Sequence, residues 1–180
     1  MLRSKKKKIT SLYFGGGTAA LLLSGLREII SKLDEYFKIE EGIGIELHPD
    51  DINDSTLNAL KAIGVNMLSI GIQSFDSACL RSLGWQDSNF KEKLKLVKSY
   101  SFSVIDVDLI FGIPKQTKTS LINDIELAFE YGATQVSTYP FIDFTFSYNK
   151  NKPIKESAKQ SMLAWIVKYT NIKNIERTSV

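Results

Sequence analysis

Residues Val65-Asn66-Met67-Leu68-Ser69-Ile70-Gly71-Ile72-Gln73 decide the fold class. Leu68, Ile70 and Ile72 fall on one side of an extended chain, and Ser69, Gly71 and Gln73 on the other. Two more stretches repeat the pattern. In Gly42–His48, Ile43, Ile45 and Leu47 oppose Gly44, Glu46 and His48; in Ser103–Ile110, Ile105, Val107 and Leu109 oppose Asp106 and Asp108. Between these strands lie segments with helical spacing, so the chain predicts repeated strand–helix units and a parallel α/β sheet or barrel.

Outward from this core the units continue. Ile9–Phe14 reads as a first strand ended by Gly15-Gly16-Gly17, and Thr134–Tyr139 as a fifth. A helix introduced by Ser24 carries Leu26, Ile29, Ile30, Leu33 and Phe37 at 3.6-residue spacing. Asp54 or Ser55 can cap a helix through Ala62. Further helices are expected near Asp76–Leu83, over about Asn89–Tyr100, around Leu121–Phe129 up to Gly132, and over about Ile154–Tyr169. Phe141–Lys152 has no clear period and reads as a long loop. Three regions result: a basic tail (1–8), a barrel core (9–140), and a loop with a C-terminal helix (141–180) that can begin a further domain.

The 180 residues suit one domain, and 43% hydrophobic against 24% charged residues is ordinary globular composition. The net charge of +3 is unevenly spread. Residues 1–8 carry five positives, residues 9–149 hold 11 Lys+Arg against 18 Asp+Glu, and residues 150–180 hold seven against two. An acidic middle argues against a nucleic-acid-binding core, which needs clustered positives on its working face. Residues 1–26 superficially mimic a secretory signal, but the glycine triplet breaks the apolar run and no small-x-small cleavage pattern closes it. With no other apolar run of about 20 residues, no membrane segment is expected and a cytoplasmic setting is. One cysteine, Cys79, excludes an internal disulfide framework and any cysteine-rich metal site supplied by this chain alone.

The polar side of the strands carries the chemistry. Fully buried parallel strands read as near-continuous apolar runs, whereas three strands here present Glu46, Gln73 and Asp108 on one face. An unpaired buried carboxylate costs several kcal/mol, so this face is expected to be a wet or ligand-filled lumen. The residues stand towards the strands' C-terminal ends, where (βα) barrels build their sites. The plainer alternative pairs Glu46 and Asp108 with lysines. Asp106 and Asp108 can form an acid pair, but no third metal ligand stands nearby. His48, the single histidine, suits a hydrogen-bonded strand end better than a general base.

Four stretches in order carry a family resemblance: Leu12-Tyr-Phe-Gly-Gly-Gly-Thr18, Ile45-Glu-Leu-His-Pro49, Gly64-Val-Asn-Met-Leu-Ser-Ile-Gly-Ile-Gln-Ser-Phe-Asp76 and Asp108-Leu-Ile-Phe-Gly-Ile-Pro-Lys-Gln-Thr117. From about Ser11 to Tyr139 the chain resembles the radical S-adenosylmethionine (SAM) proteins, in particular the oxygen-independent coproporphyrinogen III oxidases and HemW-like haem chaperones. The resemblance implies a partial (βα) TIM-like barrel holding SAM over a 4Fe–4S cluster that cleaves it to a 5′-deoxyadenosyl radical. It places Gly16, Gly17 and Thr18 along the methionine part of SAM. It also puts Glu46, Gln73 and Asp108 on the polar groups of SAM, and Pro140 beside the adenine.

Two departures stand out. The family's arginine twelve residues after the glutamine position is Trp85 here, with Arg81 a turn earlier as a stand-in. The CxxxCxxC cluster triad and the first βα unit are absent from these residues. The chain alone is therefore expected to be non-catalytic, with an open sheet edge at Ile9–Phe14 available for association. A cluster-free module binding SAM, a nucleotide or a tetrapyrrole is the alternative. Tyr139, Phe141, Phe144 and Phe146 are candidate walls for a flat tetrapyrrole-like substrate, core packing being the plainer reading.

Overall fold

The computed structural model describes residues 6–16, 19–86, 89–142 and 152–177. Five strands, β1 (Lys7–Phe14), β2 (Phe37–Leu47), β3 (Val65–Gln73), β4 (Val104–Phe111) and β5 (Gln135–Pro140), lie side by side in chain order, and all four pairings are parallel. They curl into a half-barrel with β1 and β5 as its edges. The connections hold the helices α1 (Leu23–Tyr36), α2 (Asp54–Ala62), α3 (Ser77–Leu83), α4 (Phe90–Ser99) and α5 (Lys118–Tyr131); α6 (Glu156–Ile172) follows β5.

Alternation places the core on the convex side. Ile45, Leu47, Leu68, Ile70, Ile72, Val107 and Leu109 are sealed beneath Leu57 and Leu60 of α2, Leu94 and Val97 of α4, and Leu121 and Ala128 of α5. Each such side chain contributes about 1.5–3 kcal/mol on burial, enough to fix which face of every strand points outward. Side-chain caps set the starts of α3 and α5. Asp76 accepts from the Ala78 and Cys79 backbone N–H groups, and Thr117 and Ser120 form a reciprocal capping box.

Several boundaries differ from the sequence expectation. β1 begins at Lys7, inside the stretch read as basic tail, because Lys7 and Lys8 pair with Phe37 and Lys38. Phe37 therefore belongs to β2 and not to α1. No glycine or proline separates Tyr36 from Gly42, so the sequence carries no helix stop there. Ser24 lies inside α1, which follows a short 3-10 turn at Ala19–Leu22. Asn53, rather than Asp54 or Ser55, caps α2 by accepting from Thr56 N–H. Ile29 is half exposed, so the buried stripe of α1 is narrower than its period suggested. α6 runs on to Ile172. Of the expected loop, residues 143–151 lie outside the described residues.

Asn66 repairs an irregularity in the sheet. The β2–β3 register shifts because Ile43 and Gly44 pair with Val65 and Met67, leaving Asn66 as the extra residue. Its side chain accepts from Ile43 N–H at 2.8 Å and donates to the Glu41 carbonyl at 3.2 Å. Replacing Asn66 by alanine strands both groups and is expected to cost about 1–3 kcal/mol. Urea denaturation measures it; an unchanged midpoint would contradict this role.

Candidate functional site

The concave face is assembled in rows across the sheet. Glu46, Ser69, Asp106 and Gln135 are successive register partners on β2 to β5, and Gly71, Asp108 and Ser137 form the next row. The face read as polar from three strands thus extends into β5. Gln135 and Ser137 were missed as site residues, although the alternation that exposed Glu46 and Asp108 also runs through Thr134–Tyr139.

Glu46 reaches across to the loop after β1. Its Oε2 accepts from Gly16 N–H at 2.7 Å, and its Oε1 lies 2.7 Å from where a Cβ on Gly15 would stand. A side chain at residue 15 would displace the carboxylate, which is the physical reason for glycine there. Gly17 and Thr18 lie outside the described residues. The lysine-paired alternative fails at this point: among the described residues no ion pair involves Glu46, Asp106 or Asp108.

Asp106 and Asp108 face the same side but turn apart. Asp106 Oδ2 accepts from Ser137 Oγ at 2.8 Å and Gln135 Nε2 at 3.2 Å, while Asp108 Oδ2 accepts from Ser69 Oγ at 2.7 Å. The two Oδ1 atoms are withdrawn from water and have no donor. Burial holds both carboxyls above the ordinary carboxylate range. Hydrogen bonds oppose the shift, and for Asp108 the neighbouring Asp106 and Glu46 charges add to it. Tyr13 and Tyr139 flank the cluster, their hydroxyls pushed up by burial and further by these carboxylates. No group of three or more metal-ligating side chains is found among the described residues.

Gln73 ends β3 with its backbone in the left-handed region, and its Nε2 lies 2.7 Å from where a Cβ on Gly71 would stand, in the row of Asp108. Pro140 is exposed at the end of β5. Trp85 stacks at a tilt on His48 with ring centroids 5.5 Å apart, at the C-terminal rim of β2. His48 is the hydrogen-bonded strand end expected of it, its Nδ1 accepting from Asp50 N–H. Arg81 is exposed on α3. Phe141 is buried against Cys79 and Ile113, as core packing requires, while Phe144 and Phe146 lie outside the described residues. A separate groove of about 490 Å³ runs between β5 and α6. Among the described residues no helix is long and apolar enough to cross a membrane.

A curled parallel sheet, helices outside and a polar concave face at the strand ends define a radical SAM half-barrel. The family model of the Radical SAM superfamily matches residues 1–128, and the chain belongs to that superfamily. Within it the chain is HemN/HemW-like. It is 28% identical over 153 residues to the heme chaperone HemW of Lactococcus lactis, covering 81% of this chain and 40% of that protein. It is 29% identical over 130 residues to the oxygen-independent coproporphyrinogen III oxidase of Pseudomonas aeruginosa, covering 68% of this chain and 28% of that one. The fold matches coproporphyrinogen III oxidase (HemN) of Escherichia coli with a TM-score of 0.74 at 22% identity, over 91% of this chain and 40% of that chain. The chain thus spans well under half the length of these relatives.

The 4Fe–4S cluster general to the superfamily does not fit the residues here. Cluster iron takes several thiolates, and the 180 residues hold one cysteine. Cys79 is buried, and burial pushes its thiol up to about 11, away from the thiolate that binds metal. SAM fits better, since its hydroxyl and ammonium donors suit the bare aspartate oxygens.

A raised carboxyl means that the folded chain binds this proton more tightly than the unfolded one. The penalty of the buried charge is absent below the unfolded value and complete above the folded one. Asp108→Asn, which keeps an acceptor for Ser69, is therefore expected to stabilise the fold at pH 8 and give no gain at pH 4. Urea titrations at the two pH values test this, and a variant less stable than the parent at pH 8 contradicts it.

Proposed function

We propose that the concave face binds SAM, with Glu46, Gln73 and Asp108 meeting its polar groups, Gly16, Gly17 and Thr18 alongside its methionine part, and Pro140 beside its adenine. The observation that carries this reading is the pair of buried, donorless oxygens on Asp106, in the row of Glu46, and on Asp108, one row on. Three inward carboxylates with no ion-pair partner favour a ligand rich in donors and net positive charge. SAM offers ribose hydroxyls, an ammonium and a sulfonium, whereas a nucleoside phosphate or a tetrapyrrole bearing carboxylates would meet like charge.

The chain's own residues would bind and orient SAM; the cysteines that hold a cluster must come from outside these 180 residues, so we read the chain alone as non-catalytic. Its substrate class follows the relatives: one is named a heme chaperone and another a coproporphyrinogen III oxidase, so the substrate we propose is a tetrapyrrole-related small molecule. The sequestered Cys79 favours a second reading, a cluster-free module that binds SAM, a nucleotide or a tetrapyrrole without chemistry.

Each hydrogen bond to a charged group is worth about 1.5–3 kcal/mol. Glu46→Ala and Asp108→Ala are therefore each expected to weaken SAM binding roughly tenfold or more, read by isothermal titration calorimetry of the folded variants. Parent-like affinity in either variant removes that residue from the site. Binding of ATP or haem, with SAM excluded, would favour the cluster-free reading instead.

A further inference from the structure

The one fully buried acidic side chain among the described residues lies on the other layer of the fold from the three inward carboxylates. Asp124 stands on α5, 1% exposed. It crosses to the loop after β3, where Oδ2 accepts from Ser74 Oγ at 2.6 Å and Oδ1 from Phe75 N–H at 2.9 Å. Ser74, itself fully buried, accepts in turn from Asp76 N–H at 3.0 Å through the same Oγ, and Asp76 caps α3. Burial raises the Asp124 carboxyl to about 6, against the pull of its hydrogen bonds. Each of its two oxygens accepts one of these hydrogen bonds.

The chain it grips is strained. Ser74 N–H donates to the Ile72 carbonyl two residues back at 2.9 Å, closing a γ-turn with Gln73 at its centre. The Gln73 φ of 70° identifies the rarer, strained form of that turn. Such backbone persists only where surrounding structure over-determines it. A cation-free buried carboxylate and a strained turn, both unfavourable alone, therefore meet within four consecutive residues. The side chain at the centre of the turn enters the concave face over Gly71, whose register partner is Asp108.

We infer that Asp124 is a positioning residue. Through Ser74 and Phe75 it holds the turn at Gln73, and so fixes the Gln73 carboxamide over Gly71 beside Asp108. Its effect on SAM rests on the proposed role of Gln73; its hold on the turn does not.

The test is a double-mutant cycle on the full chain with Asp124→Ala and Gln73→Ala, with Asp124→Asn as the conservative variant. SAM affinity is read by calorimetry, and exchange of the Phe75 and Asp76 amides by NMR. Asp124→Ala is expected to weaken SAM at least fivefold in the parent and less than twofold in the Gln73→Ala background. Asp124→Asn should stay within twofold of the parent, because its amide oxygen can still accept from Phe75. Amide exchange at Phe75 and Asp76 should quicken at least tenfold in Asp124→Ala. An equal loss in both backgrounds, or unchanged affinity in Asp124→Ala, overturns the inference. Should Asp124→Ala fail to fold, Ser74→Ala removes the bridging hydroxyl and is held to the same criteria. If the parent binds no SAM, the proposed function fails, and the amide exchange alone decides the clamp: quickened exchange upholds it and unchanged exchange overturns it.

Discussion

Everything on the concave face follows from three carboxylates, two of them withdrawn from water, without cations to meet them. A buried charge is tolerated when hydrogen bonds surround it, and each of these is only half satisfied by the protein. Glu46 has the Gly16 N–H, Asp106 has Ser137 and Gln135, and Asp108 has Ser69. Two oxygens remain bare. A chain selected for stability alone would place apolar residues at these positions, as it does at Ile70 and Val107 on the opposite face. In the function proposed above, a bound ligand offsets that residual cost.

The scaffold makes that cost bearable. Burial of the convex side fixes the register of every strand, and register in turn brings Glu46, Asp106 and Asp108 into neighbouring rows. A slip of one residue in β4 would send both aspartates into the apolar layer beneath α4 and α5. The site is thus a by-product of where the leucines and isoleucines must go, and the helical layer supports it directly through Asp124.

Much of this was legible in the sequence because period-2 alternation is a strong signal where one face is buried. The central strands, the convex core and the inward direction of Glu46 and Asp108 all followed from it. Other features were not legible. The Phe37 boundary depends on pairing with Lys7, a long-range contact that leaves no local stop signal. The capping of α2 by Asn53 turned on a one-residue choice among neighbours of similar propensity. The grip of Asp124 on Ser74 joins residues fifty apart, and nothing in a helical period separates that aspartate from a solvated one. Trp85 departs from the arginine that the resemblance implies, but its seat against His48 joins residues 37 apart and leaves no local signal.

The most direct test is a crystal structure of this chain grown with SAM. It should show SAM on the concave face, with donor groups of the ligand within hydrogen-bonding distance of Glu46 and of the bare Asp108 oxygen. SAM seated in the groove between β5 and α6, with the Asp108 oxygen still unmet, would contradict the central claim.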